Sequence, residues 1–211
     1  MLKAIQPMAV EEVGRRTVRG QYGAGTVDGT RVPGYREEPG VSETSVVESF
    51  AAIEFHVNNP RWAGVPFYVR TGKRLGRKMT EIRVHFRRTR QGPCAGTPGA
   101  CAEPNLITLR IQPDEGIIIT FVAKQPGSEM RAIPAEAEFS YAKSLSSDLP
   151  DAYATLLFDA IRGDGTLFTR RDEVEAAWRI ITPIEEAGQG SRPRASRITP
   201  PGAMGLRRPG R

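Results

Sequence analysis

From residue 45 to residue 58 the chain alternates between apolar and polar positions. Val47, Ala51, Ile53, Phe55 and Val57 fall on one phase, and Glu48, Ala52, Glu54 and His56 on the other. That period of two predicts a half-buried strand. Similar patterns predict strands over 66–71, 80–87, 105–111, 115–123 and 136–141. In the second of these, Ile82, Val84 and Phe86 interleave with Arg83, His85 and Arg87, as expected when one face of a sheet is covered and the other wet. The period then changes. Over 150–162, Tyr153, Leu156, Leu157, Ala160 and Ile161 make one helical stripe, with Asp148 as a cap and Pro150 in the first turn. A second helix is predicted over 170–187, with Thr169 and Asp172 as a capping box and Val174, Ala177, Trp178, Ile181 and Ile184 as its stripe. Pro183 predicts a kink or break near Thr182. Strands first and helices afterwards is an α+β order. The expected architecture is a large, mainly antiparallel sheet with helices packed on one face.

The N-terminal residues 1–18 mix apolar and charged side chains, which suits a short helix or turn. Residues 19–43 hold six glycines and two prolines and read as a long loop of the kind that is often functional. Gly23-Ala24-Gly25 is no nucleotide-binding turn, because no predicted strand precedes it and no third glycine follows at the required spacing.

Composition narrows the class. Hydrophobic residues make up 39% of the 211 and charged residues 26%, a globular balance in a length that suits one domain. No apolar run is long enough for a membrane helix, and the N-terminus lacks the apolar core of a signal peptide. A cytoplasmic location is the expectation. The net charge of +6 sits in residues 187–211, which carry six arginines and no acid, so the rest of the chain is balanced. A poorly ordered Arg/Pro/Gly tail is expected there, following one domain over 1–186. Nucleic acid is not the expected partner of the body. Cys94 and Cys101 match no common zinc spacing. They are read as free thiols, with a labile disulfide as the alternative.

Several stretches, in this order, resemble the C-terminal domain of glucose-6-phosphate dehydrogenase. They are Arg19-Gly20-Gln21-Tyr22, Pro33-Gly34-Tyr35, Glu48-Ser49-Phe50-Ala51-Ala52, the run from Arg61 through Arg70-Thr71-Gly72-Lys73 to Leu75, Arg110-Ile111-Gln112-Pro113, Leu149-Pro150-Asp151-Ala152-Tyr153 and Trp178-Arg179-Ile180. The resemblance covers residues 2–186, and the run from Arg61 to Leu75 is its most specific part. It implies the substrate and dimerisation domain of an oxidoreductase. That enzyme oxidises glucose 6-phosphate to 6-phosphogluconolactone with NADP, the first step of the pentose phosphate pathway.

The resemblance also implies roles. Lys73 would reach the sugar phosphate, an ammonium being suited to a dianion, with Gly72 letting the backbone turn close to it. Lys78 would add a second positive charge, and Gln112 would meet sugar hydroxyls through its amide. Arg70, Arg83 and Arg110 match positions that hold a second, structural NADP in some relatives, but Met79 and Met204 stand where those relatives carry a basic residue and a tryptophan, so that site is not expected. No catalytic residue is assigned. His56 and His85 fall on the polar phase of their strands and match no catalytic histidine, and Trp62 and Trp178 read as packing anchors. The family's glycine-rich loop and base precede this stretch. The chain is therefore expected to lack its dinucleotide-binding half and to be inactive alone. It would bind glucose 6-phosphate weakly and form a homodimer through the sheet. The alternatives are one half of a split enzyme, completed by a separate Rossmann-domain chain, and a non-catalytic interaction module.

Overall fold

A computed structural model describes residues 2–27, 29–87, 105–128, 132–145, 152–188 and 194–196. The expectations for Cys94, Cys101, Asp148, Pro150 and Met204 lie outside the described residues. So does most of the tail. Along the chain, a 3-10 turn at Leu2–Ala4 leads into α1 (Val10–Arg16). The strands β1 (Thr17–Tyr22), β2 (Gly25–Val27) and β3 (Thr30–Val32) come next, and then a 3-10 turn at Tyr35–Glu37. β4 (Phe50–His56), β5 (Pro66–Gly72), β6 (Thr80–His85), β7 (Leu106–Gln112), β8 (Gly116–Lys124) and β9 (Ala132–Ser140) follow. The order closes with α2 (Tyr141–Leu145), α3 (Ala152–Arg162), α4 (Arg171–Gly188) and β10 (Arg194–Ser196). The α+β, mainly antiparallel reading holds. The main strands form two four-stranded sheets, ordered β10-β1-β4-β5 and β6-β7-β8-β9, and β2 pairs with β3 alone.

The chain divides into two compact units, Met1–Arg77 with Asp164–Arg211, and Lys78–Gly163. In the first, α1 and α4 pack together, and α1 also meets β1 and β4. Met8, Val13 and Ile184 are buried at its centre, with Ile53, Phe55 and Ala187 against them. Ile53, Phe55 and the buried Val57 share the phase that alternation assigned inward. Phe50, on the opposite phase, is buried as well. The strand starts five residues later than predicted, at Phe50 rather than residue 45.

The stretch 19–43 is not one long loop. β1 enters it, and β2 and β3 form a hairpin whose connection holds Gly29 at φ 79°, a backbone state glycine adopts without strain. Alternation could not reveal β1, because its two buried residues are Gly20 and Gln21. α4 also departs from expectation. Its buried residues are Ala176, Ile180, Ile184 and Gly188, a stripe rotated from the predicted one, and Trp178 is 56% exposed. At its start, Arg170 N–H donates to Glu173 at 3.1 Å, so the acid that reaches back is Glu173 rather than Asp172. The helix runs through Pro183 without a break. Ile180 and Ile184 are buried on either side of the proline, and packing of that face offsets the one lost backbone bond.

In the second unit β6, β7, β8 and β9 pair antiparallel throughout. Ile82 lies opposite Leu109, which lies opposite Ile117, which lies opposite Phe139. Val84, Ile107, Ile119 and Ala137 form the next such row. One face is therefore apolar from edge to edge. β9 begins four residues before the predicted strand because it accommodates Pro134, which an edge position tolerates.

Candidate functional site

Four of the motifs that carry the family resemblance, Arg19–Tyr22, Pro33–Tyr35, Glu48–Ala52 and the run ending at Leu75, meet at one place in the first unit. In the sheet register Gly20 of β1 lies opposite Phe50 of β4, and Phe50 lies opposite Gly72 of β5. Ser49 ties the three strands together just before β4 begins. Its N–H donates to Gly20 O at 2.9 Å, and its carbonyl accepts the Lys73 N–H at 2.7 Å. Its hydroxyl Oγ accepts the Tyr22 N–H at 3.0 Å. Beside it the buried Gln21 donates its amide to the carbonyls of Ser45, at 3.0 Å, and Val47, at 2.6 Å. A buried amide without such partners would be destabilising. Gln21 therefore fixes the entry into β4, and Ser49 passes that placement to Lys73.

Gly72 has a different role from the one expected. Its φ is not positive, and the turn is not made there. A Cβ at this position would stand 3.0 Å from Phe50 Cδ2 and 3.2 Å from Ser49 O, so the glycine lets β5 close over Phe50. The left-handed residue is Arg74, at φ 50°. Its guanidinium pairs with Glu38 and lies 5.2 Å from the centre of the Tyr22 ring. Tyr22 Oη donates to Glu38 at 3.2 Å, and the Tyr22 ring meets Tyr35 edge-on at 5.7 Å. Burial, and then the neighbouring Glu38 carboxylate, push the Tyr22 phenol above its ordinary pKa, so it stays a donor. The Tyr35–Glu37 turn is held by Glu37, which accepts the Gly34 N–H at 3.1 Å. Gly34 itself is too close to Ala24 for a side chain, since a Cβ would stand 2.9 Å from that residue's nitrogen.

Lys73 therefore stands exposed at the end of β5, on a backbone anchored by Ser49. Lys78 and Gln112 belong to the second unit. Both are exposed, Gln112 donates to Thr80 Oγ1 at 3.3 Å, and Lys78 precedes the same β6 end by two residues. Among the described residues no ion pair engages Lys73 or Lys78. The arginines differ. Arg83 pairs with Glu81 at 2.6 Å, and Arg110 pairs with Glu138. The Arg110 hydrogen bond, with the charges of Lys143 and Arg110, holds the Glu138 carboxyl below its usual range. A phosphate at either guanidinium would compete with a carboxylate. Arg70 lies on β5, in the other sheet, opposite Ala52. His56 is exposed and lies 3.1 Å from Glu54, and His85 is exposed on β6 opposite Leu106. Trp62 packs edge-on against Phe67 at 5.4 Å. No helix of the described residues is long and apolar enough to cross a membrane.

Sequence reasoning singled out Lys73 through its motif. It missed Tyr22, Glu38 and Arg74 as a group, and the one local signal was a bulky residue directly after Gly-Lys where a turn had to follow.

Comparison with known proteins agrees with this convergence of motifs. The family model described as the C-terminal domain of glucose-6-phosphate dehydrogenase matches residues 1–205. Glucose-6-phosphate 1-dehydrogenase of Treponema pallidum is 44% identical over 189 residues, covering 89% of this chain and 37% of that protein. The enzyme of Mycolicibacterium smegmatis is 43% identical over 205 residues, covering 97% of this chain and 41% of that protein. The chain thus spans about two fifths of the length of these relatives. A solved glucose-6-phosphate dehydrogenase, in complex with its substrate glucose 6-phosphate, superposes with a TM-score of 0.80 at 34% identity, covering 97% of this chain and 40% of its own. The Mycobacterium avium enzyme gives 0.71 at 31% identity, covering 94% and 38%. The chain belongs to the family of the glucose-6-phosphate dehydrogenase C-terminal domain.

Proposed function

We propose that these residues form the substrate-binding and dimerising part of an NADP-dependent glucose-6-phosphate dehydrogenase, in the cytoplasm, acting at the entry to the pentose phosphate pathway. The observation that carries this reading is Lys73. Its backbone is anchored through the Ser49 carbonyl at the meeting point of three family motifs, and its ammonium is exposed. A dianionic phosphate is the natural partner of such a point charge. Lys78 supplies further positive charge and Gln112 an amide for sugar hydroxyls. NADP supplies the hydride acceptor, and its main site and the catalytic base belong to the part of the family's polypeptide that these residues do not span. Residues 1–186 act as the substrate domain and 187–211 as an appended basic tail. Alone, the chain binds glucose 6-phosphate weakly and does not oxidise it. The exposed apolar face of β6–β9 supports self-association through the sheet.

Isothermal titration with glucose 6-phosphate tests the reading. Lys73→Ala should weaken binding by roughly ten- to a hundredfold, the worth of a charge-assisted hydrogen bond. Binding by the variant equal to that of the unaltered chain would remove the assignment.

A further inference from the structure

Among the described residues, Arg74 is the one non-glycine residue with a positive φ. The left-handed region is disfavoured for a residue with a Cβ. Arginine also lacks the short polar side chain that lets Asn or Asp settle there through a local hydrogen bond. Neither Gly72 nor Gly76, two residues to either side, takes the turn. Something beyond the local sequence must hold residue 74, and the contacts identify it. Glu38 receives both the Arg74 guanidinium and the Tyr22 hydroxyl on the same oxygen, Oε1. The Tyr22 ring lies against the guanidinium at 5.2 Å, within cation–π range. Tyr22 is fixed in turn by its backbone bond to Ser49 and by Tyr35, and Glu38 follows directly on the turn locked by Glu37 and Gly34.

Lys73 is thus held from both sides, by the Ser49 carbonyl on its own N–H and by the left-handed turn that follows it. We propose that Tyr22, Glu38 and Arg74 form a clamp that positions Lys73 for an anionic ligand. These are positioning residues and do not bind the ligand. Glu38 engages the Arg74 guanidinium, while the adjacent Lys73 ammonium is exposed with no ion pair among the described residues. The inference rests on the reading of Lys73 as a phosphate-binding residue, and the experiment separates the two.

Glucose 6-phosphate is titrated into the chain and its variants, and their thermal melting is followed in parallel. Arg74→Ala and Glu38→Gln should each weaken binding on the order of tenfold, the penalty of an unsupported left-handed residue. Arg74→Gly should bind within about twofold of the unaltered chain, because glycine takes that turn unaided. Adding Glu38→Gln to Arg74→Gly should change little further. If Arg74→Gly weakens binding as much as Arg74→Ala, the guanidinium contacts the ligand and the positioning role is overturned. If the unaltered chain does not bind, or Lys73→Ala binds as well as it does, the phosphate reading falls and takes the positioning role with it. Melting then judges the clamp alone. Glu38→Gln should lower the melting temperature with Arg74 in place and much less in the Arg74→Gly background. Equal lowering in both overturns the clamp.

Discussion

The two compact units each contain a four-stranded sheet, and among the described residues every buried apolar side chain belongs to the first. In the first, helices lie over the sheet, and Met8, Val13, Ile180 and Ile184 keep no more than 6% of their surface exposed. In the second, Ile82, Val84, Phe86, Ile119, Phe121 and Phe139 line one face and remain between 38% and 52% exposed. α3 repeats the pattern, with Leu157 at 65% and Ile161 at 86%. Alternation predicted strands in both sheets, so periodicity states which residues share a face and leaves open what covers that face. A large uncovered apolar face marks a surface made for further protein.

The contrast can be tested most strongly at its buried end. Ile184→Ala should destabilise the first unit by about 2–5 kcal/mol in denaturant unfolding, because it empties a closed core. Ile119→Ala in the second unit should cost under about 1 kcal/mol, since much of the side chain is already in water. Equal losses would break the comparison. Val84→Lys sharpens it from the other side. Sedimentation velocity should show weaker self-association, with little change in the melting of the first unit. The smallest effect concerns charge. Burial, the largest single influence, would raise the Glu48 pKa, but the 2.6 Å Arg19 hydrogen bond, a backbone hydrogen bond and the Arg19 charge together outweigh it and the net shift is downward. Its contribution is therefore complete above the ordinary carboxylate value of 4.5 and is lost as pH falls through the lowered folded value. Glu48→Gln should flatten the acid limb of the first unit's stability curve below that value.

What the sequence showed and what it hid follow one physical rule. β5 to β8 were legible because each carries its own local signal, alternation in β5, β6 and β7 and a dense β-branched run in β8. Lys73 was singled out because its motif is local. β1 was hidden because Gly20 and Gln21 occupy its buried positions, and neither looks like core until its partners are known. The rotated stripe of α4 and its passage through Pro183 depend on what α1 offers to pack against. The clamp around Arg74 joins residues 22, 38 and 74, which no window along the chain brings together.

The fit of Gly72 over Phe50 has a consequence for substitution at that position. A methyl group at position 72 would press on the Phe50 ring and also on the Ser49 carbonyl, the group that receives the Lys73 N–H. A change in packing there would be felt at once by the lysine. A side chain at position 72 requires the Phe50 ring and the Ser49 carbonyl to give way by a few tenths of an ångström. The packing of this unit and the placement of the Lys73 backbone are therefore coupled through one carbonyl.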